Sequence, residues 1–186
     1  MIPTHVTILP AGSLESTRNV ETTSDIRVID EYCRILSEVL DEYGISHSIL
    51  KRGSKLIRTG AIVVIADLGW FTSDRKRNRS EVYFGTHGSK KLALLIADTL
   101  GEWGRCSSFG HVAGNAKETS DDMLETPGTV SVRVQPFSLN GPNFRDYHPR
   151  LTTLARDLAM ALIEFLKSQN EKTGYRPLTV AAASGK

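Results

Sequence analysis

The run Ala61-Ile62-Val63-Val64-Ile65-Ala66 does most to limit what this chain can fold into. A strand with one face in water alternates apolar and polar side chains; an unbroken β-branched run needs cover on both faces. That places residues 61–66 in the interior of a sheet. No apolar stretch of the chain approaches the roughly 20 residues that a membrane-spanning helix takes.

The segments around this run alternate in type. Val6-Thr7-Ile8-Leu9 reads as a short buried strand, closed by Pro10-Ala11-Gly12-Ser13. The polar loop from Gly12 to Ser24 is long enough to suggest a functional role. A helix is expected from about Asp25 to Tyr43, where Ile29, Tyr32, Cys33, Leu36, Leu40 and Tyr43 recur at helical spacing. Ser24 suits its N-cap, Asp25 the positive end of its dipole, and Gly44 its stop. Cys33 falls on the apolar stripe and reads as a core residue.

Ile45 to Leu50 reads as a second strand, and Glu81 to Phe84 as a fourth after the central run. Gly85-Thr86-His87-Gly88 then leads into a helix reaching about Trp103, with Leu92, Leu95, Ile96 and Leu100 on one face. Residues 104–128 read as irregular and polar, and Val130 to Val134 as a further strand. A last helix is expected from Pro149 or Arg150, with Leu151, Leu154, Leu158, Leu162 and Phe165 as its buried stripe. Residues 169–186 lack periodicity and read as a tail, leaving 1–168 as one domain.

Strands alternating with helices predict a three-layer α/β/α fold around a mostly parallel sheet of about five or six strands. The whole chain has 186 residues, 40% of them hydrophobic and 24% charged, which suits one globular domain rather than a disordered chain. Two cysteines, Cys33 and Cys106, cannot build a disulfide framework or a cysteine-rich zinc site. The start, Met-Ile-Pro-Thr-His, shows no secretory signal, so a cytoplasmic or virion-associated protein with no membrane partner is expected.

In such folds ligands bind beyond the carboxyl ends of the strands. That rule selects Glu15, Arg18, Glu21 and Asp25 after the first strand, Asp67 and Trp70 after the central run, and His87 after the fourth. It also selects Arg133, Gln135 and Asn140 around the end of the last strand. Carboxylates with a histidine are the ingredients of a hydrolytic metal site, and a carboxylate alone can act as general base. Asp25, Asp67 and His87 are therefore candidate metal ligands, and Asp67, Glu15 and Arg133 candidate catalytic groups. The competing readings are bland: Asp25 as a helix-start residue and His87 as a turn residue. His5 and His47 read as structural.

The net charge is only +2, yet Asp74-Arg75-Lys76-Arg77-Asn78-Arg79 concentrates four cations. A solvated loop is the simple reading. Trp70 and Phe71 just upstream suggest instead a binding surface formed by Trp70, Arg75, Lys76, Arg77, Arg79 and Asn140. With charge balanced elsewhere, nucleic acid is not the expected partner.

Three stretches carry a family resemblance: Thr7-Ile8-Leu9-Pro10-Ala11-Gly12 before a long helix; Glu81-Val82-Tyr83-Phe84 followed by Ser89-Lys90-Lys91-Leu92-Ala93; and Pro127-Gly128-Thr129-Val130-Ser131-Val132 leading to Phe137-Ser138-Leu139-Asn140. From His5 to about Leu166 the chain resembles the zinc-dependent N-acetylmuramoyl-L-alanine amidases of the amidase-3 type. The resemblance implies hydrolysis of the amide between glycan and stem peptide in peptidoglycan, with zinc as the metal. Its first zinc histidine would fall near Gly12 and its glutamate ligand near Asp25, which keeps a carboxylate. The second histidine would fall near Ala66 or Asp67, and the catalytic glutamate near Arg133 or Val134.

A second resemblance runs through Ile8-Leu9-Pro10-Ala11-Gly12-Ser13-Leu14-Glu15, His111 to Ser120, and His148-Pro149-Arg150-Leu151-Thr152. These stretches are similar to creatininase-type amidohydrolases, which implies metal ligation by Glu15 and an aspartate near Asp25. Two functions are thus expected: a metal-dependent amidohydrolase with a divergent site acting on a peptidoglycan-like amide, or an inactive module of the same fold that binds a partner, for example in a virion.

Overall fold

The central run folds as expected: the strand Ile62–Ala66 (β3) is buried along its whole length. The computed structural model describes residues 5–11, 23–52, 54, 62–66, 79–106, 112–119, 124–125, 129–136 and 150–172. Around β3 stand β1 (Val6–Pro10), α1 (Thr23–Glu42), β2 (His47–Ile49), β4 (Arg79–Phe84), α2 (His87–Cys106), β5 (Val112–Glu118), β6 (Val130–Gln135) and α3 (Leu151–Lys172).

The strands form one six-stranded sheet in the order β2-β1-β3-β6-β4-β5. β2, β1, β3 and β6 run parallel, with Val6 opposite His47 and Ile62, and Ile62 opposite Val130. β4 is antiparallel to β6, with Glu81 opposite Gln135 and Phe84 opposite Val132, and β5 runs parallel to β4. The fold is thus α/β with a mostly parallel sheet, as the element pattern predicts.

Successive strand residues point to opposite faces. Val6 and Ile8, Ile62, Val64 and Ala66, Val132 and Val134, and Val82 and Phe84 line one face and share a single core with the three described helices. The predicted stripes supply that core: Ile29, Cys33, Leu36 and Leu40 from α1, Leu92, Ile96 and Leu100 from α2, and Leu151, Leu154, Leu158, Leu162 and Phe165 from α3. On the other face, Leu9, Val63, Ile65 and Leu124 form a second, smaller cluster.

Helix α1 stops where Gly44 adopts a left-handed φ of 66°. The Gly44 N–H donates to the Asp41 carbonyl and the Ile45 N–H to the Leu40 carbonyl, each at 2.9 Å, which closes the helix in a Schellman-type cap. Tyr43, expected on the buried stripe, lies past the helix end and is exposed.

Two expectations need correction. The stretch read as irregular, 104–128, contains β5. Its sequence Val-Ala-Gly-Asn-Ala-Lys-Glu has a single β-branched residue, so neither propensity nor alternation announces a strand. The last helix continues through Lys172, beyond the expected tail boundary at 168. Residues 173–186 lie outside the described residues.

Candidate functional site

The antiparallel turn at β4 decides which predicted site residues can meet. β1, β3 and β6 finish at one end of the sheet, at Pro10, Ala66 and Gln135. β4 enters at that end and leaves at the other, because Glu81 faces Gln135 while Phe84 faces Val132. His87, which follows β4 and opens α2, therefore sits at the opposite end from the strand ends that precede Asp67 and Asn140. The strand-end rule points to one crevice only where strands are parallel, so it does not itself bring His87 to the end of the sheet from which Asp67 follows.

The end of the sheet near His87 is held by a structural clamp. The Ser89 N–H donates to the Thr86 carbonyl at 3.0 Å, and the Thr86 and Ser89 hydroxyls lie 2.8 Å apart. The Ser131 N–H donates to Ser89 Oγ at 3.0 Å, and Ser131 Oγ–H donates to the Leu124 carbonyl at 2.7 Å. Gly85 lets the turn at Leu124 approach, since a Cβ there would lie 2.7 Å from the Leu124 carbonyl carbon. His87 itself is exposed beside this clamp.

At the other end, Arg133 belongs to a rung that crosses the sheet. Leu9, Ile65, Arg133, Tyr83 and Lys117 stand in register on adjacent strands, on the face away from the helices. One step further along, Gln135 faces Glu81. Glu81 is only 2% exposed, yet it carries a carboxylate. Lys117 Nζ donates to one of its oxygens and the Tyr83 hydroxyl to the other. The Lys117 ammonium also lies 5.9 Å from the centre of the Tyr83 ring. A buried carboxylate persists when charged and hydroxyl donors replace its water. The structure thus brings the predicted Arg133 together with Glu81, Tyr83 and Lys117, which the sequence reading did not select. The available signal was the carboxylate inside the strand sequence Glu81-Val82-Tyr83-Phe84.

Asp25 lies in the first turn of α1, and Arg79 opens β4 at the Gln135 end of the sheet. Glu15, Asp67, Trp70, Arg75, Lys76, Arg77 and Asn140 lie outside the described residues, as do His111 and His148. Among the described residues no group of three or more His, Cys, Asp or Glu side chains stands close enough to hold a metal ion. No described helix is long and apolar enough to cross a membrane.

Two of the positions near which the resemblance expects zinc chemistry lie among the described residues. Ala66 and Val134 face each other across β3 and β6 and are buried in the helix-side core, at 0% and 1% exposure. A methyl and an isopropyl group have no lone pair for a metal and no proton to exchange. Arg133, the neighbour of Val134, is a permanent cation and cannot serve as a base. These residues do not fit a zinc-ligating histidine and a catalytic glutamate.

The other two described histidines, His5 and His47, have local partners. His5 bonds Ser46 Oγ through Nδ1 at 2.9 Å and Ser48 Oγ through Nε2 at 3.0 Å. The His47 Nδ1–H donates to the Ile45 carbonyl at 2.9 Å, so its Nε2 accepts from Ser37 Oγ–H at 2.7 Å. The Cys33 thiol is pushed up to about 12, first by burial and then by the charge of Asp30, with Arg52 opposing. It stays a neutral thiol at ordinary pH.

No protein-family model and no curated protein matches the chain. Solved structures do. N-acetylmuramoyl-L-alanine amidase AmiC2 of Nostoc punctiforme is 12% identical with a TM-score of 0.69, over 90% of this chain and 99% of that one. The catalytic domain of CwlV, an N-acetylmuramoyl-L-alanine amidase from Bacillus (Paenibacillus) polymyxa var. colistinus, is 12% identical with a TM-score of 0.67, over 87% and 98%. The CwlD amidase from Clostridioides difficile, solved in complex with the GerS lipoprotein, is 13% identical with a TM-score of 0.64, over 88% and 98%. The creatininase resemblance finds no counterpart among these three structures. The chain has the fold of the amidase-3-type N-acetylmuramoyl-L-alanine amidases.

Proposed function

We propose that the chain is an amidase-fold module that binds peptidoglycan-like material and does not hydrolyse it by zinc chemistry. The pairing of Ala66 with Val134 carries this reading. Both side chains complete the apolar core beneath α1 to α3; the resemblance asks for a histidine near Ala66 or Asp67 and for a glutamate near Arg133 or Val134. A fold retained around a converted site keeps its shape for recognition while losing its reacting groups.

The full chain, incubated with insoluble peptidoglycan and added zinc, is expected to sediment with the polymer and to release no soluble peptide. Release that tracks added zinc, or failure to sediment, would overturn the reading.

One placement favours a second reading, in which the chain is a hydrolase built on carboxylates. β1 and β3 end side by side, since Pro10 pairs with Ala66. Asp67 follows Ala66 directly, and Asp25 opens the helix that follows β1. Asp67, Asp25 and Glu15 would then supply the reacting groups. Turnover of a muropeptide by the wild type that disappears in Asp67→Asn, with the thermal transition unchanged, would establish this reading over the first.

A further inference from the structure

Residues 12–22 connect β1 to α1 and carry Gly12 and Glu15, positions to which the resemblances assign metal ligation. The two flanks of this connection are tied together by one side chain, Arg52. Its Nη1 donates to the carbonyl of Ala11, the residue by which the chain leaves β1. Its Nη2 donates at 2.9 Å to Oδ1 of Asp30, in the second turn of α1.

Both ends of this bridge are themselves placed. The Ala11 N–H donates to the Ala66 carbonyl at 2.8 Å, at the carboxyl end of β3, so both backbone groups of Ala11 are engaged. The Leu50 N–H donates to the Ile8 carbonyl at 2.9 Å, and the Ser54 N–H to the Lys51 carbonyl at 3.0 Å, closing the turn that presents Arg52. As an ion pair alone the contact counts for little, because the Asp30 side chain is 58% exposed. What it supplies is direction: a planar guanidinium holds two acceptors at fixed angles, which the point charge of an ammonium does not.

We propose that Arg52 is a positioning residue: by bridging Ala11 and Asp30 it fixes the two flanks of residues 12–22, and with them the site at the carboxyl ends of β1 and β3. Its effect on ligand binding rests on the peptidoglycan-binding reading above; its effect on the backbone does not.

The test compares full chains by amide hydrogen exchange, thermal transition and sedimentation with insoluble peptidoglycan. Arg52→Met is expected to speed exchange at the Ala11 amide about tenfold, the scale of one charge-assisted hydrogen bond, while Val64 in the interior of β3 stays protected. Arg52→Lys keeps the charge without the fork and should not restore Ala11. Asp30→Ala, an exposed change that reaches Ala11 through Arg52, should speed the same amide roughly threefold. Apparent affinity for peptidoglycan should fall about tenfold in both Arg52 variants, because a site whose supports loosen loses its fit. Arg34→Met, which removes an exposed cation of α1 paired with Glu38, should change neither readout. Unchanged Ala11 exchange in Arg52→Met, full restoration by lysine, or equal acceleration at Val64 would overturn the proposal. So would undiminished sedimentation of Arg52→Met where the wild type sediments. A wild type that does not sediment would count against the binding reading, and the exchange rates would still decide the role of Arg52.

Discussion

The two faces of the sheet are made from the same strands and are built on different principles. On the helix side, β1, β3, β6 and β4 present Val6, Ile8, Ile62, Val64, Ala66, Val132, Val134, Val82 and Phe84, an apolar set that only the buried Ser80 interrupts among the described strand residues, at the start of β4. On the far side the same strands present Thr7, Ser131, Arg133, Glu81 and Tyr83 among Leu9, Val63 and Ile65. A one-residue difference in position therefore separates a core that obeys only packing from a face that must satisfy charge. Val134 and Arg133 are the sharpest case. The positions nearest the expected catalytic glutamate fall on opposite faces, one buried in the core and the other in a polar rung.

If the helix-side face is purely a packing surface, its cost of damage should follow volume. Ile8 is fully buried among α1 and the neighbouring strands. Ile8→Ala is expected to lower unfolding free energy by about 2–5 kcal/mol, the range for large-to-small changes in a closed core. Urea denaturation read by circular dichroism measures it. A loss under about 1 kcal/mol would mean that this face is loosely packed, and the contrast between the faces would fail.

The far face should respond to charge instead. Lys117 is about one-third exposed and Glu81 is buried, so the pair lies between the surface and interior limits. Lys117→Met removes the ammonium that donates to the buried carboxylate and keeps the Tyr83 hydroxyl that donates to its other oxygen. The expected loss is about 1–3 kcal/mol, below the value for a fully buried pair because water reaches the lysine. The double variant Lys117→Met with Glu81→Leu should recover most of that loss, since it removes the buried charge as well. If the double variant is no better than the single one, packing rather than charge holds this face too.

The same contrast explains what could be read from residue order. The helix-side core announces itself: apolar runs and 3.6-residue stripes predicted β1, β3, α1, α2 and α3 and nearly all of their buried residues. The direction of β4 did not announce itself. Glu81-Val82-Tyr83-Phe84 reads the same in either orientation, and only the long-range pairing with β6 reverses it. That reversal put His87 at the end of the sheet opposite the carboxyl ends of β1, β3 and β6 and brought Glu81 to Gln135. Arg133 could be selected because it closes a recognisable strand, but its partners Tyr83 and Lys117 come from strands placed by topology. β5 was hidden because its residues have little strand preference, and its place at the sheet edge comes from pairing with β4.

The smallest test asks whether the helix-side core is free of polar penalties. The anomaly among its described residues is Tyr32, which is 2% exposed in α1 and whose hydroxyl has no hydrogen-bond partner among them. Burial holds its ionisation well above the ordinary tyrosine range, with Cys33 adding to the shift. A buried hydroxyl without a partner costs the free energy of its lost hydration, while the ring still contributes its apolar area. Tyr32→Phe removes the hydroxyl and keeps the ring, so stability is expected to rise by about 1 kcal/mol. A rise confirms that the helix-side face rewards apolar surface alone. A loss of similar size would show the hydroxyl to be anchored in solution, and the division of the sheet into a packing face and a charge-balanced face would need redrawing at α1.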